Sequence, residues 1–177
     1  MGITVRTEET EAIQRVTAIR EPNMTEIERI VEQLRKSYEG EAWHGPSVLE
    51  ALQDVSVASA AQRPFHSAHT IWEIVEHLRL TERLVYDRLH GQRFLSLPPA
   101  EAWRPQPYPS ESAWKELLGA LQQGHLELRQ AISTLKADKL NETIPQRDHT
   151  YYDMLHGTVQ HNIYHAGQIS LIKKALL

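Results

Sequence analysis

The chain has 177 residues, enough for one domain with a single substantial core. Its composition, 41% apolar and 24% charged, is that of a soluble globular protein, and a net charge of −4 without any arginine- or lysine-rich run gives a nucleic acid no electrostatic footprint. Cysteine is absent, which excludes disulfides, thiolate metal sites and a cysteine nucleophile and fits a reducing, cytoplasmic setting. The N-terminal stretch MGITVRTEETEAIQRV has no signal-peptide core, and no run of about 18 apolar residues predicts a membrane span.

Residues 1–23 are polar and closed off by Pro22-Asn23, and Met24 opens a clearer signal, so they read as a poorly ordered appendage or a start-site artefact before a domain spanning 24–177. A first helix is expected from Thr25, where Thr25 and Glu28 form a capping box and Ile27, Ile30, Val31, Leu34 and Tyr38 follow at helical spacing. Gly40 ends it. Trp43-His44-Gly45-Pro46 is a turn, Ser47 caps a short helix, and the stretch from Ala58 to Pro64 reads as a connector. A second long helix is expected over 68–90, with Ile71, Ile74, Leu78, Val85 and Leu89 as its apolar stripe. Residues 91–109 form a long crossover in which Pro98, Pro99, Pro105, Pro107 and Pro109 are expected to exclude helix. Ser110 or Ser112 caps a third helix carrying Trp114, Leu117, Leu118, Leu121, Leu128, Ile132 and Leu135, and a fourth starts near Thr150. No segment alternates with period two. The expectation is an all-α four-helix bundle whose long crossover can return the chain so that helices two and three lie parallel.

Ten histidines are more than a chain of this length usually carries, and their positions matter more than their number. His161 and His165 are spaced i, i+4, about 40° apart on one face, with Met154, Ile169 and Ile172 beside them. Two inward imidazoles need partners, because an unpaired buried polar group costs about 1–3 kcal/mol. A shared metal ion satisfies both. His77 lies on the inward side of the second helix's stripe and is the natural third donor. Glu73, about 40° from His77, is a candidate fourth ligand, proton acceptor or partner of the free His77 nitrogen; a bundle-edge carboxylate is the plain alternative. His69 is turned away from the stripe, and His44 sits in a turn that could overhang the site. His156 falls off the metal face, while His66, His90, His125 and His149 read as surface or loop residues. Three neutral histidines leave a coordination position open, as catalytic sites do. The donors suit a divalent ion, zinc first, with nickel, cobalt or ferrous iron as alternatives. No H-E-x-x-H, Walker or G-x-G-x-x-G motif is present.

The segments GEAWHGPSVLEAL (40–52), HTIWEIVEHL (69–78) and HNIYHAGQI (161–169) resemble the DinB/YfiT-like superfamily of four-helix bundles, over most of residues 24–177. The resemblance implies His77, His161 and His165 as ligands of a divalent metal, an up-down-down-up bundle and frequent homodimers. Gly167 and Gln168 match the end of the fourth-helix motif, the first as a site of close helix approach, the second as a hydrogen-bonding neighbour of the ligands. Characterised relatives include thiol S-transferases and thiol-dependent isomerases using mycothiol or bacillithiol; others are described as metal-dependent hydrolases. The expectations are therefore activation of a low-molecular-weight thiol for S-transfer, with the electrophile held under the loops near Trp43 and 98–109. The alternatives are hydrolysis with Glu73 or His44 as base, or a non-enzymatic metal-binding or stress-related protein.

Overall fold

A computed structural model describes residues 24–92, 96–105 and 108–176. The expected appendage at 1–23 and Pro107 of the crossover lie outside these residues. Helix starts follow the oxygens that the sequence supplies for the first free N–H groups. Thr25 and Glu28 close a reciprocal capping box on α1 (Glu26–Glu39), and Ser47 with Glu50 repeats it on α2 (Val48–Leu52). Between them Gly40 stops α1 at φ +139°, a conformation that disfavours any residue with a Cβ; an added Cβ would also lie 3.1 Å from the Glu50 carboxylate.

Residues 58–64 are not only a connector. Ser56 caps a short α3 (Val57–Ala61), which buries Ala60 and packs on α4 (Ile71–Leu89). Thr70 and Glu73 form the capping box of α4. The crossover also departs from expectation, because Pro98 and Pro99 start a helix, α5 (Pro99–Ala102), rather than preventing one. Proline at the first helical position loses only an N–H that had no helical partner. Ser110, not Ser112, caps α6 (Glu111–Ser133). A 3-10 turn (Ala137–Asn141) leads to α7 (Tyr151–Ala175), whose capping box is Thr150 with Asp153.

The described residues are all-helical, with one isolated bridge between Thr143 and Thr150, and no helix among them is long and apolar enough to cross a membrane. The four long helices contact each other in a ring: α4 packs on α6 and α7, and α1 packs on the same two. Their apolar stripes form two clusters. One gathers Tyr38, Trp72, Leu78, Leu121 and Ile169, and the other Leu34, Val85, Leu128, Ile132 and Leu155.

Between Leu78 and Val85 on α4, and between Leu121 and Leu128 on α6, the stripes carry Glu82 and His125. Both are buried, together with Asn162 of α7. His125, expected at the surface, is only 1% exposed. It falls four residues after Leu121 and three before Leu128, so helical phase carries it inward whatever its polarity. Its Nδ1–H donates to the Glu82 carboxylate at 3.0 Å, and the Asn162 amide donates to the same group at 3.0 Å. Tyr38 stacks on its ring at 3.9 Å.

Glu82→Ala would leave two buried donors without their acceptor, so a loss of roughly 2–4 kcal/mol is expected in denaturant titration, with Glu82→Gln costing less. An Ala variant as stable as the parent would contradict a network in which the carboxylate is the shared acceptor.

Candidate metal centre

His77 reaches the interior from the first half of α4, and His161 and His165 from either side of the midpoint of α7. His77 and His165 are buried and His161 is half-buried. The His161 Nε2 lies 3.1 Å from the Nε2 of His77 and 3.1 Å from that of His165, and the three donor atoms lie within 4.8 Å of one another. The expected residues are thus brought together, each from the expected helix.

Hydrogen bonds on the far side of two rings favour one tautomer of each. His77 Nδ1–H donates to the Ala102 carbonyl at 3.0 Å, and His165 Nδ1–H donates to the Gln168 side-chain oxygen at 2.6 Å. Each neutral ring therefore turns an unprotonated Nε2 toward the shared point. One proton on His161 Nε2 can bond well to only one of these two lone pairs. A cation among the three nitrogens satisfies all of them. Around a tetrahedral zinc with bonds near 2.1 Å, ligand nitrogens sit roughly 3.4 Å apart, so the two 3.1 Å separations need little adjustment. The donor set fits a divalent ion, and three protein ligands leave a position open.

Burial opposes a charge on these rings. It pushes the His161 imidazolium down to about 3, with His165 and His77 adding to the effect. His165 is pushed down to about 4 by burial, against the opposing hydrogen bond to Gln168. His77 is lowered by burial too, and the Ala102 bond offsets part of that. All three thus stay neutral, the state in which imidazole binds a metal.

The other candidates stand elsewhere. Glu73 is buried, but its carboxylate accepts from Arg63 at 2.7 and 2.8 Å and from the Thr70 N–H at 2.9 Å. Burial raises its carboxyl; the Thr70 and Arg63 bonds outweigh that and hold it below the usual carboxylate range. It is not among the grouped ligands, and Ala102 takes the His77 nitrogen that Glu73 was expected to orient. His44 is exposed in its turn, and the neighbouring Trp43 projects fully into solvent rather than over the site. His156 faces Glu26 at 3.3 Å. Gln168 does meet a ligand, as expected. Gly167 is exposed, and a Cβ there would meet nothing within 4 Å, so it provides no close helix approach within the chain.

A cleft of about 470 Å³ opens beside the centre, with His77 and His161 in its wall. Leu84, Val85, Leu97 and Met154 give it an apolar side, while Thr81, Thr158 and His149 supply polar groups. His149, expected to be a simple loop residue, therefore shares a cavity with two candidate ligands. Sequence position carried no signal for this, because residue 149 comes from a connection whose path has no helical phase. Of the expected roof over 98–109 only Ala102 lines the cleft, and Ser96 and Leu97 join it from just before that stretch.

A family model described as the DinB superfamily matches residues 42–169. No curated protein and no solved structure matches the chain.

The depressed histidines link stability to acidity. Unfolded imidazoles ionise near 6.5, whereas His161 and His165 stay neutral in the folded chain down to about 3 and 4. Across that window the unfolded state binds more protons, so stability falls as pH falls. Metal-free protein is expected to lose denaturant resistance between pH 6.5 and about 4, and His161→Leu to lose less over the same range. Equal slopes would show that His161 is not held neutral.

Proposed function

We propose that this chain, which belongs to the DinB superfamily, is a metal-dependent enzyme that uses His77, His161 and His165 to hold a divalent ion and activates a low-molecular-weight thiol for S-transfer. One observation carries the metal reading: two of the three converging rings already commit Nδ1–H to other acceptors, so their Nε2 lone pairs face one point. Zinc is the first choice of ion for three imidazoles, with nickel next. Such an ion supplies Lewis acidity, lowering the pKa of a thiol or water and polarising a carbonyl oxygen.

The chain's own residues have separable tasks. Ala102 and Gln168 orient two ligands. Leu84, Val85, Leu97 and Met154 offer apolar contact to the part of a substrate away from the reacting atom and keep water from that wall. Thr81 and Thr158 offer hydroxyls for hydrogen bonding within the same cleft. Thiol activation needs no protein base at the centre, which accords with the commitment of Glu73 to Arg63 and Thr70 and with the exposed position of His44.

The second reading is hydrolysis, favoured by one observation: His149 lines the cleft that reaches His77 and His161 and is a candidate base there. A protein that binds the ion without turnover is the third reading.

The fold supporting this site is proposed to be an up-down-down-up four-helix bundle. Three sets of contacts support it. Trp72 meets Trp114 and Glu82 meets His125, advancing together along α4 and α6. His77 meets His161 while Arg88 meets Met154, in opposite order along α4 and α7. Glu26 meets His156 near the starts of α1 and α7. A homodimer is proposed through the outer face of α7, where exposed Tyr164 and Leu171 flank Gly167.

Tag-free protein is expected to carry about one equivalent of divalent metal, and His161→Ala and His165→Ala to lose it by elemental analysis. Metal retained at full stoichiometry in both variants would overturn the ligand assignment. Turnover with thiol–electrophile pairs but not with esters or amides is the expected activity result; the reverse pattern, abolished by His149→Ala, would favour hydrolysis.

A further inference from the structure

The crossover between α4 and α6 does more at this site than roof the cleft. Its short helix α5 ends at Ala102, so the Ala102 carbonyl is one of the last acceptors of that helix and has no following helical N–H to bind. It takes the His77 Nδ1–H instead. The next residue, Trp103, lays its indole flat on the His77 imidazole, with ring centroids 3.9 Å apart and planes 7° from parallel. The opposite face of the indole carries His69, at 3.6 Å and 5°. Trp103 is thus the middle of a three-ring stack.

We propose that Trp103 is a positioning residue for His77, a clamp that holds the imidazole in the plane from which its Nε2 points at His161 and His165. The inference rests on the three-histidine centre being a metal site. A single hydrogen bond at Nδ1 fixes the tautomer and one direction but leaves the ring able to tilt about that bond. A ring lying flat against it removes the tilt. Together the carbonyl and the indole define where the lone pair on the far nitrogen goes, and both come from adjacent residues of one element.

The outer part of the stack is itself tied down. His69 Nδ1 lies 3.4 Å from the Glu73 carboxylate, which Arg63 grips through both oxygens, and the other Arg63 nitrogen donates to the Ala68 carbonyl. Glu73 also caps α4, the helix that bears His77. Hence the ion pair Arg63–Glu73 supports His69, His69 backs Trp103, and Trp103 backs His77. This gives Glu73 a part in the centre without contact with an ion, and makes the α4 start and the crossover jointly responsible for one ligand.

The experiment is a metal titration of the full, tag-free chain after chelation, with zinc and cobalt ions as probes, comparing Trp103→Leu and Trp103→Phe with the parent. Partners of this kind alter metal affinity by about 10–100-fold, so Trp103→Leu is expected to bind zinc at least about tenfold more weakly, while Trp103→Phe, which keeps a flat ring, stays within about threefold. Metal-free Trp103→Leu should keep its helical circular dichroism, which separates lost positioning from lost fold. Parent affinity in a folded Trp103→Leu would overturn the clamp. Should that variant not fold, cobalt quenching of indole fluorescence decides the matter: most of the quenching in the parent should vanish in Trp103→Phe, and quenching of equal size would overturn the proposal. A parent chain that takes up no ion fails differently, because it removes the centre itself.

Discussion

Three imidazole nitrogens converge within 4.8 Å of one another, His161 Nε2 lying 3.1 Å from each of the other two, and one proton on His161 can satisfy only one of its neighbours. The Ala102 carbonyl, which can only accept, holds His77 Nδ1 as a donor, and the Gln168 side-chain oxygen accepts from His165 Nδ1. Burial forbids the alternative of protonating the site, keeping His161 and His165 neutral far below their usual range. The site thus meets the two demands of metal binding, deprotonated ligands and fixed directions, through side chains and one backbone carbonyl. The proposed metal binding follows from that arrangement, whereas the choice of a thiol as substrate follows from the family.

The rest of the interior is arranged around polar groups in an unusual share of its middle. The two apolar clusters meet where α4, α6 and α7 contribute Glu82, His125 and Asn162, all nearly or fully buried. A single carboxylate accepts from both His125 and Asn162, while the His125 Nε2 and the Asn162 side-chain oxygen find no partner among the described residues. The network fixes the relative height of three helices, since a slip of one turn of α6 would carry His125 away from Glu82. Two of those helices, α4 and α7, are the ones that bear the histidine ligands, so a register set at Glu82 also sets how the rings meet one turn and a half away. Hydrophobic contact alone would constrain that register less, being non-directional.

Much of this was legible in the sequence, for reasons that differ by feature. Helix starts were readable because Thr25, Ser47, Ser110 and Thr150 supply capping oxygens next to periodic apolar runs. His161 and His165 were readable because i, i+4 spacing on an apolar face is a geometric statement about one helix. His77 needed the further step of matching a second helix, and the stripe was clear enough for it. His125 reads as a surface residue by type but as an inward one by phase, since Leu121 and Leu128 flank it on the buried face, and phase prevails. The short helices α3 and α5 span too few residues for periodicity to register. Ala102 and Trp103 were out of reach for a different reason: a backbone carbonyl has no sequence signature, and a stacking partner drawn from a loop depends on a path that only tertiary structure gives.

X-ray absorption spectroscopy on the metal-loaded, tag-free protein tests the central claim most directly. The account predicts outer-shell scattering from three imidazole rings, with metal–nitrogen distances near 2.0–2.1 Å and at least one further light-atom ligand. A spectrum with one imidazole or none, or a shell made up of carboxylate oxygens, would contradict it.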